Sequence, residues 1–207
     1  MASHEGFLSN DLHRLFIQKT INPEELFHVG IEMRSSRSRY EAHSFLNEYI
    51  HRNGCKRIME IGVADGENAR SMVMVAIQIL SLKDVEYYGF DLFSDDSRFK
   101  QVRKKLMETG CGFTLFKGDS VKTLPEAVKK LPKMDLIFID GGHSYTTVKS
   151  DWENSRSLMH NETAVFFHNY DFSGPKEAVD NISREQYDVE IIHPESDSVT
   201  ALVKMKV

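Results

Sequence analysis

The chain has 207 residues, of which 41% are hydrophobic, 28% charged and 10% aromatic, the profile of a globular protein rather than a disordered or fibrous one. Its 26 basic and 31 acidic residues leave a formal charge of −5, which argues against a nucleic-acid partner bound by bulk phosphate neutralisation. Cys55 and Cys111 are too few for a disulfide framework or a zinc cluster. No run approaches the roughly 18 apolar residues of a membrane span, and the start, MASHEGFLSNDLHR, lacks the charged-then-apolar order of a leader. The expectation is a cytoplasmic chain with no membrane partner.

Residues 1–55 come first and read as helices. SNDLHRLFIQ, PEELFHVGIEM and RYEAHSFLNEYIHR each space apolar residues three or four apart, which predicts an N-terminal helical cap that either packs on a sheet edge or covers a ligand. Arg34, Arg37 and Arg39 read as a solvated loop or as contacts for an anionic substrate. From Lys56 onward short apolar runs alternate with longer amphipathic stretches: RIMEIGV then ENARSMVMVAIQIL, EYYGFDLF then SRFKQVRKKLMETG, FTLFKG then KTLPEAVKKL, MDLIFID then SYTTVKSDWENSRSLM, TAVFFHN then PKEAVDNISREQ. This β-α rhythm predicts one α/β domain over 56–207, a largely parallel sheet covered by helices on both faces. The last two runs, YDVEIIH and VTALVKMKV, are joined only by PESDS, too short for a crossover helix. They therefore form an antiparallel hairpin, expected at one edge of the sheet.

In an open α/β sheet, ligands bind beyond the carboxyl ends of the strands where the strand order reverses. After the first strand the chain reads Glu60-Ile61-Gly62-Val63-Ala64-Asp65-Gly66. Gly62 permits a tight turn, and Gly66 lets the next helix begin close to the strand with its free N–H groups facing a ligand. The spacing is Gly-x-x-x-Gly, without the middle glycine that admits a dinucleotide's pyrophosphate, and no Walker pattern is present. Asp91 ends the second strand, where a carboxylate can accept both hydroxyls of a ribose, and Asp119-Ser120 follows the third.

On these residues the chain resembles the class I S-adenosylmethionine-dependent methyltransferases, whose first motif is acidic-x-Gly-x-x-x-Gly, here Glu60 to Gly66. The resemblance covers roughly residues 56–207. It implies a three-layer, Rossmann-like, seven-stranded mixed sheet with one antiparallel edge strand, joined to the N-terminal helical cap. It also implies S-adenosylmethionine as cofactor, with Glu60 among the cofactor-binding residues, Gly62 and Gly66 at its methionine part, Asp91 at the ribose, and Asp119 and Ser120 beside the adenine. Asn68 stands where related O-methyltransferases often have a serine contacting the cofactor carboxylate.

A second constellation follows strands four and five. Asp140 ends MDLIFID and leads into Gly141-Gly142-His143-Ser144-Tyr145, while TAVFF ends at His168-Asn169. If the two strands are neighbours, Asp140, His168 and Asn169 share one crevice and form a candidate metal site. Oxygen donors suit magnesium, and an imidazole shifts the preference toward manganese, iron or zinc. The Asp-Gly-x-His-x-Tyr run, with Val148 and Asp151 in the next helix, resembles metal-dependent O-methyltransferases of the catechol and macrolide-sugar types. That resemblance implies Asp140, also near the cofactor, with His168 and Asn169 as ligands of magnesium or manganese. Here His-Asn replaces the more usual Asp-Asp, Asp-Asn or His-Asp, leaving fewer anionic ligands. His143, three residues after Asp140, falls where the resembled enzymes carry a general base, and an imidazole is the side chain most often used for proton removal.

The leading expectation is an O-methyltransferase acting on a small hydroxylated molecule, a sugar or a phenol, with Asp140 and His143 as catalytic residues and a homodimer as a natural assembly. Two alternatives stay open: a metal-dependent hydroxylase or hydrolase on the same fold, and a methyltransferase-like binding module without catalysis.

Overall fold

The computed structural model describes residues 43–206. The helices expected at SNDLHRLFIQ and PEELFHVGIEM, and Arg34, Arg37 and Arg39, lie outside the described residues. A compact unit spans Tyr40–Val207. It opens with helix α1 (Ser44–Asn53), which buries Leu46 and Ile50, four residues apart, and stops where Gly54 adopts a left-handed conformation at φ 65°. Both leucine and isoleucine belong to the same core cluster as Ile58 of the first strand and Tyr87 of the second. The third expected helix is thus packed into the sheet's own core.

The strands and helices then alternate as β1 (Arg57–Ile61), α2 (Glu67–Ile79), β2 (Glu86–Asp91), α3 (Asp96–Thr109), β3 (Gly112–Lys117), α4 (Ser120–Ala127), β4 (Leu136–Ile139), α5 (Tyr145–Ser155), β5 (Ala164–Phe167), α6 (Ser173–Asp180), β6 (Tyr187–Ile192) and β7 (Thr200–Met205). They build a seven-stranded sheet in the order β3-β2-β1-β4-β5-β7-β6. Strands β1 to β5 are parallel. Every residue of β4 and β5 is buried, as continuous apolar runs require when helices cover both faces of a parallel sheet. The fold is the Rossmann-like three-layer α/β arrangement with a mixed sheet.

The reversed strand is β7, antiparallel to both β5 and β6. The terminal hairpin lies at one edge of the sheet, as expected from the sequence, with β6 outermost and β7 one place inside. The reason is burial. Thr200, Ala201 and Val203 of β7 are buried, whereas β6 alternates between half-buried and exposed positions, the pattern an edge strand tolerates. Because β6 therefore runs parallel to β5, the connector of residues 193–199 emerges at the carboxyl ends of the parallel strands, the end where ligands bind in such sheets.

Cys55 and Cys111 are free and buried. Among the described residues, no helix is long and apolar enough to cross a membrane.

Candidate active site

The strand order reverses between β1 and β4, and there the backbone itself shapes the crevice. Gly62 has φ +96°, and a Cβ on it would stand 2.0 Å from the carbonyl oxygen of Asp140. The Asp140 N–H donates to the Ile61 carbonyl at 2.8 Å, so the turns after β1 and β4 meet backbone to backbone. Ala64 and Gly66 also have positive φ, 51° and 79°, and the chain turns directly into α2, whose first N–H groups open toward the crevice.

Asp91 stands across this turn. Its Oδ2 accepts the Ala64 N–H at 3.0 Å and its Oδ1 the Phe93 N–H at 2.8 Å. A carboxylate offers about four acceptor positions; two hold the loops together and two remain for ligand hydroxyls. Glu60 is nearly fully buried, 1% exposed, and accepts hydrogen bonds from Asn68 Nδ2 at 2.8 Å and from the Tyr87 hydroxyl. Burial pushes its carboxyl up to about 7, moderated by these two donors. Glu60 therefore acts on the crevice through Asn68, whose other amide atom, Oδ1, is buried without a partner. Asp119 caps α4 by accepting the Val121 N–H at 3.1 Å, which places Ser120 as the first helical residue. Large apolar side chains are exposed at these same strand ends, Leu92 after β2 and Val121 at the start of α4, where a ligand would cover them.

Asp151 on α5 lies behind these turns, fully buried, with neither carboxylate oxygen hydrogen-bonded. Burial raises its carboxyl to about 7, and the Asp119 charge acts in the same direction. The nearby Ser120 hydroxyl moderates the shift without reaching full hydrogen-bond geometry. A Cβ on Gly141 would stand 3.6 Å from Asp151 Oδ2, so this carboxyl sits directly under the turn that carries Asp140.

The second constellation gathers after β4 and β5. The His168 N–H donates to the Ile139 carbonyl at 3.0 Å, which sets His168 beside Asp140 on neighbouring strands. His168 Nδ1 lies 2.9 Å from Asp140 Oδ1 and its Nε2 lies 2.9 Å from Asp197 Oδ1. Burial alone would lower its pKa, but the two carboxylates outweigh that and raise it to about 9. His43, the residue before α1, hydrogen-bonds through Nδ1 to Asp197 Oδ2, with Nε2 4.0 Å from Asp140 Oδ2. Burial disfavours the Asp197 charge, yet His168, His43 and the Ser198 N–H hold its carboxyl well below the usual range. His43, Asp140 and His168 each offer a ligating atom, all within 4.8 Å of one another, a donor set that fits a divalent cation.

His143 is 40% exposed, with Nε2 3.7 Å from Asp140 Oδ1. Its ring stands edge-on to Phe172 at 5.2 Å. Its loop is pinned by Gly174 of α6, where a Cβ would meet the His143 carbonyl oxygen at 2.1 Å. Asn169 has a left-handed backbone, φ 54°, and its Nδ2 donates to Ser198 Oγ at 2.9 Å. Its side chain is oriented by the β6–β7 connector.

The expected residues thus fall into two groups along one crevice. Glu60, Gly62, Gly66, Asn68, Asp91, Asp119 and Ser120 belong to the ends of β1 to β3, and Asp140, His143, His168 and Asn169 to those of β4 and β5. Sequence reasoning did not find His43, Asp197 or Gly174. A signal for Asp197 existed: a hairpin whose first strand runs parallel to β5 must turn at the ligand end. His43 carried no comparable signal, being a polar residue before an amphipathic helix.

The family model described as "Methyltransferase domain" matches residues 59–170, more than half of the chain, and the chain belongs to that family. No curated protein matches the sequence significantly. Among solved structures, the chain is similar to the TDP-rhamnose 3'-O-methyltransferase of calicheamicin biosynthesis (TM-score 0.69, 18% identity, covering 89% of this chain and 87% of that one). It is also similar to the tomaymycin-synthesis O-methyltransferase of Streptomyces achromogenes, solved with S-adenosylmethionine (TM-score 0.65, 14% identity, covering 79% and 78%). A third is the Bacillus cereus O-methyltransferase in complex with S-adenosylhomocysteine (TM-score 0.64, 16% identity, covering 93% and 94%). At these identities the likeness is one of fold.

Proposed function

We propose that the protein transfers a methyl group from S-adenosylmethionine to a hydroxyl of a small molecule, a sugar or a phenol, with a divalent metal assisting. The observation that carries this reading is the backbone junction of Gly62 with Asp140, which joins the cofactor turn and the acid–histidine group in one crevice. Membership of the methyltransferase family and the O-methyltransferase identity of several neighbours in fold support the class of reaction.

The residues fit the cofactor chemically. The N-terminus of α2 and the Asn68 amide receive the methionine part, and Asn68 Oδ1, lacking a partner, is an acceptor for its ammonium group. The two free acceptor positions of Asp91 suit vicinal ribose hydroxyls, and Asp119 with Ser120 flanks the adenine. S-adenosylmethionine supplies an electrophilic sulfonium methyl and leaves as S-adenosylhomocysteine. A divalent cation at Asp140 and His168 would acidify the acceptor hydroxyl. His143, exposed to the crevice and held by Gly174 and Phe172, takes the hydroxyl proton. Alignment of acceptor and donor in a site shielded from water supplies most of the acceleration.

The test is transfer of label from S-adenosylmethionine carrying a tritiated methyl group to a panel of sugars, nucleotide-linked sugars and phenols, with magnesium or manganese present. Label on oxygen of at least one acceptor, lost in His143→Gln, is the expected result. S-adenosylmethionine binding with no label on any acceptor would favour a non-catalytic module.

A further inference from the structure

The pairing of side chains around Asp197 carries a more specific conclusion about the metal. Asp197 binds two imidazoles with its two oxygens: Oδ1 is 2.9 Å from His168 Nε2 and Oδ2 holds His43 Nδ1. A single carboxylate thereby fixes the outer nitrogen of both rings, whose centroids lie 4.4 Å apart at an interplanar angle of 60°. Asp197 is itself anchored, its Oδ1 accepting the Ser198 N–H at 2.8 Å. The inner nitrogens are left facing Asp140, His168 Nδ1 at 2.9 Å from Oδ1 and His43 Nε2 at 4.0 Å from Oδ2. A carboxylate behind each ligating histidine is the arrangement that orients imidazoles at metal centres.

We propose that a transition-series divalent cation is held by His43, Asp140 and His168, with Asp197 positioning both histidines. The distances suit it. Donors placed about 2.0–2.2 Å from one cation lie roughly 3–4 Å from each other; the two histidine nitrogens stand 2.9 and 4.0 Å from the Asp140 oxygens, and all three donors lie within 4.8 Å of one another. Two imidazoles and one carboxylate favour manganese, iron, cobalt, nickel or zinc over magnesium, which prefers oxygen donors. Three protein ligands also leave open positions toward the crevice, where His143 stands and an acceptor oxygen can bind. The inference rests on the proposed methyl-transfer site, whose metal it specifies. It moves the third ligand from Asn169, the sequence expectation, to His43.

The experiment uses the full chain, chelator-treated, titrated calorimetrically and by visible spectroscopy with cobalt(II), then with zinc, manganese and magnesium. One cobalt per chain with a ligand-field spectrum of mixed nitrogen and oxygen coordination is expected, displaced by zinc and not by equimolar magnesium. His43→Gln and His168→Gln should each weaken cobalt binding by about 100-fold, Asp197→Asn by about 10- to 100-fold, and Asn169→Ala by less than about 3-fold. Magnesium competing as well as zinc, absence of cobalt binding, or cobalt binding that survives His43→Gln and fails in Asn169→Ala would overturn the assignment. The metal preference of the unaltered chain keeps the test decisive even where a variant misfolds. Titrating S-adenosylhomocysteine into the same metal-free protein reads the methyl-transfer proposal separately: a chain that binds the cofactor but no cobalt or zinc sinks only the metal site, and one that binds the metal but not the cofactor sinks only the methyl-transfer reading.

Discussion

The two halves of the crevice are built by different means. At the ends of β1 to β3 the backbone dominates: three positive-φ residues in the first turn, a glycine with no room for a Cβ, and an aspartate whose two oxygens accept main-chain N–H groups. At the ends of β4, β5 and the β6–β7 connector, side chains dominate, and His43, Asp140, His168 and Asp197 come from four separate segments. The first half is a rigid mould and the second an electrostatic cluster. Substitutions should therefore act differently on the two.

The largest effect is expected at their junction. Gly62→Ala would force a Cβ into the Asp140 carbonyl while the backbone holds φ +96°; the variant should lose at least about 3 kcal/mol of stability together with cofactor binding. Thermal denaturation and S-adenosylhomocysteine calorimetry read both, and a stable, binding variant would contradict the rigid mould. His143→Gln should lower kcat by about 10²- to 10⁴-fold while leaving S-adenosylhomocysteine affinity within about 3-fold, because His143 belongs to the second half alone. Loss of cofactor affinity in that variant would break the division.

Asp91→Ala addresses the first half in the opposite sense. It should weaken S-adenosylhomocysteine by roughly 10- to 100-fold, the cost of two charge-assisted hydrogen bonds, with cobalt affinity unchanged. The smallest effect sharpens the picture through pH. The Asp151 carboxyl is raised to about 7 by burial, so the folded state holds its proton more tightly than the unfolded state. That contribution is present below its ordinary value and lost as pH rises through about 7. Asp151→Asn removes the buried charge and should stabilise the protein by on the order of 1–3 kcal/mol at pH 8, a gain that shrinks toward pH 5. A variant less stable at pH 8 would mean the ionised carboxylate makes a needed contact under the Asp140 turn.

The same division explains what could be read from the sequence. The Glu60–Gly66 turn, Asp91 and Asp119 are local signals, each set by one strand end and the backbone geometry a short turn demands. Asp140, His143 and His168 were legible for the same reason, sitting at strand ends. His43 and Asp197 were not, since their role exists only once α1 and the β6–β7 connector are brought to the same end of the sheet, and no spacing in the chain encodes that meeting. The position of β7 had to be seen in the same way. A hairpin at the end of the chain can add to a sheet with either strand outermost, and the choice turned on which of two similar apolar runs buries more of its length.

A cofactor site at the Gly62–Asp91 crevice can be read by calorimetric titration of the full chain with S-adenosylhomocysteine. One site per chain with a Kd on the micromolar scale, weakened in Asp91→Ala and retained in His143→Gln, is the predicted result. No binding to the unaltered protein, with or without metal, would contradict the account.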